Sequence, residues 1–164
     1  MMVCFTAMAG SDIKVVQGDK KFLKTASGSA TIEIIWEGAT FDDQMPIQEK
    51  YMDIDNTCRY AAKGFAEKFN KKCKTVRIVE KANDVKYKFS MKLTKVDYFM
   101  NVMSFCPGMS TNIWGTMNII DNKTGEVLVV ISVSDLNGGN SPVLIESFSD
   151  SFEEMAEQIA KKLK

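Results

Sequence analysis

Residues 85–96, VKYKFSMKLTKV, alternate almost without a break. Val85, Tyr87, Phe89, Met91 and Leu93 are apolar; Lys86, Lys88, Ser90, Lys92 and Thr94 between them are polar. Successive side chains of a strand point to opposite faces, so this period of two predicts a long strand with a core on one side and lysines on the other. ATIEIIWEG repeats the pattern, with Ile32, Ile34 and Trp36 against Thr31, Glu33 and Glu37. It predicts a strand with one buried face. TVRIVE and IWGTMNII read as further strands. VLVVISVSDL carries Val127, Val129, Ile131 and Val133 on one side and Leu128 and Val130 on the other, the mark of a central strand. DNKTGE between the last two is a hairpin turn, in which Gly125 takes positive φ at no steric cost. KFLK, within the polar residues 11–29, reads as a short strand. SFCPGMSTN reads as a loop, and VLIESF as a short strand or an extended lead-in.

Two segments change to a period of three and four. Ile54, Cys58, Ala61, Ala62, Phe65 and Phe69 make one stripe of a helix over about 53–70, with Asp53 or Asp55 placed to cap it. Phe152, Met155, Ile159 and Leu163 make the stripe of a second helix over about 150–163, with Ser151 and Glu154 spaced as a capping box. Basic residues crowd both C-terminal ends, as the helix dipole favours. Two stripes and several half-buried strands predict an α+β fold, a two-layer α/β sandwich. Its mostly antiparallel sheet has four to six strands, with two helices packed on one face. The strand–helix–strand unit near 31–79 can hold two strands parallel. Residues 1–10 read as the remnant of a signal peptide, 11–29 as a flexible or edge-strand segment, and 30–164 as a single domain.

Composition narrows the function. The 164 residues include 21 basic and 21 acidic side chains, so no global field calls for nucleic acid or a membrane. Locally the balance breaks: residues 59–95 hold twelve basic side chains and three acidic ones. Lys86, Lys88 and Lys92 would stand on the uncovered face, where successive positions are about 6.6 Å apart. Solvent is the default neighbour of such a ladder; an anionic envelope polymer or lipid headgroup is the functional alternative. Tyr87 and Phe89 point the other way, and Lys63, Lys68, Lys71 and Lys72 belong to the helix layer. The interleaving of aromatics and cations that a single-stranded nucleic acid needs is therefore missing. The sequence also has no histidine, which removes the usual general base and the commonest metal ligand.

MMVCFTAMAG is apolar and uncharged, too short for a membrane span of about 20 residues, and ends in the small-x-small Ala7-Met8-Ala9 of a signal-peptidase site. It predicts export, with a true start a few residues upstream. The cytoplasm is the alternative address. Cys4 would be lost on cleavage after Ala9. Cys58 reads as a small core residue, and Cys73 and Cys106 could pair.

Other clusters have plain readings beside their chemical ones. Asp42, Asp43, Asp53 and Asp55 could hold Ca²⁺, yet loop solubility and helix capping already occupy them. NGGNSP could cradle a phosphate but lacks the Lys-Ser/Thr of a P-loop. Met91, Met100, Met103, Met109 and Met117 read as packing rather than a copper site. A small apolar ligand could lie between sheet and helices near Trp36, Phe65, Met117 and Phe152. The best partner surface is the apolar stretch with Tyr98, Phe99, Met100, Phe105 and Met109.

VRIVEKANDVKYKFSMKLTKV, then NIIDNKTGEVLVVISV, then SFEEMAEQIAKKL resemble small bacterial cell-envelope proteins of the curli-secretion lipoprotein, penicillin-binding-protein-activator and TolB N-terminal type, over residues 52–164. In these a strand after the first helix leads to a long strand, a hairpin turn and a last helix. The resemblance implies an α/β sandwich used for protein–protein contact in the periplasm, without catalysis; the address predicted here is the periplasm or the outer membrane, and no cofactor or metal is expected.

Overall fold

A computed structural model describes residues 12–82, 84–101 and 108–164. In chain order the elements are β1 (Asp12–Gly18), α1 (Phe22–Thr25), β2 (Gly28–Ile35), β3 (Thr40–Phe41), β4 (Met45–Pro46), α2 (Ile47–Lys50), α3 (Ile54–Lys72), β5 (Val76–Ile78), β6 (Tyr87–Asn101), β7 (Gly108–Asp121), β8 (Val127–Asn137) and α4 (Leu144–Lys162). The fold is α+β. Among the described residues its sheet has eight strands, more than the four to six expected, and runs β1-β8-β7-β6-β2-β5, with β3 beside β6 and β4 beside β3. It is mixed, with its longest ladders antiparallel. β6, β7, β8 and β1 pair antiparallel, whereas β2 runs parallel to both β5 and β6. Parallel strands need a crossover, and α3 supplies it between β2 and β5.

β6 folds as its alternation dictates. Tyr87, Phe89, Met91 and Leu93 are buried, while Lys86 and Lys92 are exposed and Lys88 half-buried. Phe65 and Phe69 of α3 pack on Phe89, with ring centroids 6.2 and 5.3 Å away. Asp53 caps α3, its carboxylate accepting the Asn56 N–H at 3.0 Å. In the turn after β7, Gly125 has φ 74° and the Asp121 carboxylate accepts from the Lys123 and Thr124 N–H groups.

Three local expectations are overturned and one open alternative is decided. KFLK lies on the short helix α1, because Phe22 and Leu23 are adjacent and both buried, which no strand facing one core allows. The polar segment before it, read as flexible or an edge strand, forms the edge strand β1, paired with β8. VLIESF is the first part of α4, so Ser151 sits mid-helix rather than at a cap. It is fully buried, and its hydroxyl donates to the Thr111 carbonyl. Finally, β7 begins at Gly108, opposite Asn101 of β6, so GMSTN of the stretch read as a loop is strand, and the rest of that stretch lies outside the described residues.

The two long helices contact each other directly. Lys68, Lys72 and Lys161 all reach the Glu157 carboxylate, at 3.3, 3.2 and 2.8 Å. Among the described residues no helix is long and apolar enough to cross a membrane.

Candidate binding surfaces

The lysine ladder is largely occupied within the chain. Lys86 donates to the Ser27 carbonyl at 3.2 Å, and Lys88 pairs with Glu33 at 3.2 Å. Glu33 also accepts the hydroxyl of Ser90, which is buried on the face opposite Phe89 and Met91. Lys92 stays exposed. A polyanion would have to displace internal partners from two of the three cations.

The acidic cluster also has its work assigned. Asp42 and Asp43 form the turn between β3 and β4, both in the left-handed region that aspartate tolerates better than most residues. Asp43 binds Lys95, Asp42 accepts from Gln44, and Asp55 accepts the Trp36 indole N–H at 2.8 Å. The four carboxylates do not converge. Cys58 and Cys73 are free, buried thiols; Cys106 lies outside the described residues. Burial, with Asp55 and Glu37 nearby, pushes the Cys58 thiol up to about 12.

Of the residues expected around an apolar ligand, Phe65, Met117 and Phe152 are wholly buried core residues. Only Trp36 borders open space. That space lies between α3 and the free side of β2, not between the helices and the middle of the sheet. One groove of about 630 Å³ runs past Ile32, Arg59, Ala62, Lys63 and Ala66 to the chain after β5. A second of about 410 Å³ shares Ile32, Arg59 and Ala62 with it and continues to Ile34 and Trp36. The groove exists because β5 is only three residues long and covers β2 as far as Ala30. Ile32, Ile34 and Trp36, expected in the core, are consequently half-buried. Alternation along β2 tells which residues share a face; it does not tell how far the neighbouring strand extends.

The apolar stretch expected to meet a partner forms the far end of the β6–β7 strand pair. Tyr98 is half-buried against Phe41 at 5.3 Å, and its hydroxyl accepts from the Lys50 ammonium at 3.2 Å. Phe99 and Met100 are 68% and 55% exposed. Met109 is half-buried and exchanges two backbone hydrogen bonds with Ser141. Phe105 and Met103 lie outside the described residues.

An open mixed sheet with two long helices, bearing a strand-edge groove and an apolar strand-pair end, is thus the class the coordinates define. No protein-family model matches the sequence, and no curated protein matches it. Among solved structures it is similar to the PelC dodecamer from Paraburkholderia phytofirmans, with a TM-score of 0.54 and 14% identity over 94% of this chain and 99% of that one. That likeness shows a shared fold. A neuraminyllactose-binding hemagglutinin homolog from Helicobacter pylori aligns at TM-score 0.44 and 10% identity, over 92% of this chain and 89% of that one, too slight to bear on the fold.

Proposed function

We propose that this chain is a non-enzymatic protein-interaction domain of the bacterial cell envelope, exported to the periplasm or the outer membrane, that meets its partner through the end of the β6–β7 strand pair. The observation that carries the reading is the exposure of Phe99 and Met100 side by side. Adjacent strand residues point to opposite faces. Each face of this end therefore carries one exposed apolar side chain, and no charged residue occurs from Tyr98 to Ile120. Covering one such side chain contributes about 1.5–3 kcal/mol, enough for a few of them to anchor a contact.

Export is supported by the Ala7-Met8-Ala9 pattern and by the resemblance of residues 52–164 to envelope proteins of the curli-secretion, penicillin-binding-protein-activator and TolB N-terminal type. Lack of catalysis is supported by the absence of histidine and by a Cys58 thiol that burial keeps protonated. The PelC assembly of the same fold is a dodecamer, so another copy of this chain belongs among the partners to be tested.

The test places a photo-crosslinking phenylalanine analogue at position 99 and, as a control, at position 127, which is 39% exposed at the opposite end of the sheet's hairpins. Cells are fractionated and the N-terminus of the recovered protein is sequenced. A discrete envelope adduct from position 99 alone supports the reading, whether it is a foreign protein or a covalent oligomer of the chain. Equal labelling from both positions, or recovery of intact Met1 in the cytosol, rejects it.

A further inference from the structure

We infer that the open edge of β2 is a strand-addition site: it takes an extended segment of another polypeptide, with apolar side chains toward α3 and an acidic side chain beside Arg59 and Lys63. The backbone supplies the first half of the argument. Gly28 N–H donates to Thr75 and Ala30 C=O accepts from Val79, so even-numbered residues of β2 aim their backbone groups at the β5 side. Lys86 N–H donates to the Ser29 carbonyl, so odd-numbered ones aim at β6. Pairing with β5 ends at Ala30, whereas pairing with β6 runs on to Ile35. Ile32 and Ile34 therefore present N–H and C=O groups sideways with no strand to receive them among the described residues. Backbone groups in such places are obligatory hydrogen bonders. Natural edges are blunted by proline, bulges or inward charges, and Thr31–Ile35 has no proline and pairs with β6 in unbroken register. Its single charge, Glu33, is turned to the other face and held by Lys88 and Ser90.

The side chains supply the second half. An added strand would lie under the outer wall of α3, and every second side chain would enter the groove over Ile32, Ala62 and Ala66. Five free residues offer about 17 Å of edge. Arg59 and Lys63 stand one helical turn apart on that wall, exposed, and neither forms an ion pair among the described residues. Asp55 is already bonded to Trp36, and Glu67 and Glu80 with Lys81 close the other end. An acid opposite Arg59 and Lys63 is thus the complementary charge for the middle of the groove.

The experiment selects phage-displayed random octapeptides on the full-length chain and measures the enriched peptides by titration and amide hydrogen exchange. Enriched peptides should alternate apolar residues, carry an acid, and slow exchange of the Ile32 and Ile34 amides at least tenfold. Ala62→Trp, which fills the groove, should weaken binding at least tenfold. Arg59→Glu, at an exposed position that leaves folding intact, should weaken it at least fivefold. Failure to enrich any sequence overturns the inference. So does enrichment of peptides that leave those amides unprotected, or that bind both variants as tightly as the parent.

Discussion

The hydroxyl oxygens of Thr111 on β7 and Ser147 on α4 lie 2.8 Å apart, and neither residue reaches solvent. Ser151, one turn on, donates to the Thr111 carbonyl. A helix thus docks on the sheet through hydroxyls buried within an apolar core. Thr111→Val keeps the shape and leaves Ser147 with a buried unmatched group, a loss of about 1–3 kcal/mol. Ser147→Ala in the Thr111→Val background should then cost less than it does alone. A double-mutant cycle by urea unfolding measures the difference; strict additivity would mean the two hydroxyls are not coupled.

At Gly115 the β6–β7 pairing slips by one residue, with Leu93 opposite Gly115 and Lys95 opposite Trp114. A Cβ there would sit 2.2 Å from the Lys92 carbonyl oxygen and 2.7 Å from the Met91 terminal methyl. The nearer atom is backbone and cannot step aside. Gly115→Ala should destabilise by about 1–3 kcal/mol through this overpacking, without altering the helical signal in circular dichroism. A neutral substitution would show that the slip has slack.

These two sites mark where the sequence stops being legible. The alternation of Tyr87, Phe89, Met91 and Leu93 and the stripe through Phe65 and Phe69 announce themselves, because each depends only on local period and apolarity. Ser147, Ser149 and Ser151 do not: they are polar at buried positions and look like surface or cap until Thr111 is placed opposite. β1 is legible only as one of two alternatives, for a related reason. Its strand state rests on pairing with β8, over a hundred residues later. The groove escapes notice because it depends on how short β5 is, and nothing in β2 encodes that. The apolar strand-pair end was visible in composition, yet its extended conformation follows from register between β6 and β7.

Cys58 lines the shorter groove and is nevertheless only 6% exposed. With its thiol pushed up to about 12, on the order of one molecule in ten thousand is thiolate at pH 8. Iodoacetamide should leave Cys58 unmodified in the native protein and label it fully in guanidinium, as peptide mass spectrometry would report. Rapid native labelling would mean the groove opens down to α3's buried face.

Glu157 fastens α4 to α3 through Lys161, Lys72 and Lys68, and these ammonium groups hold its carboxyl down to about 2. The native state therefore keeps the charge at a pH where the unfolded chain has already taken up a proton. Stability from this contact is complete above the ordinary glutamate value near 4.5 and drains away as pH falls toward 2. Glu157→Gln should accordingly lower the unfolding midpoint at pH 6, and the gap from the parent should close steadily between pH 4.5 and pH 2. Because the cluster is solvent-accessible, added salt should narrow the gap at pH 6 as well. A gap that ignores both pH and salt would assign Glu157 a packing role and strip the lysines of theirs.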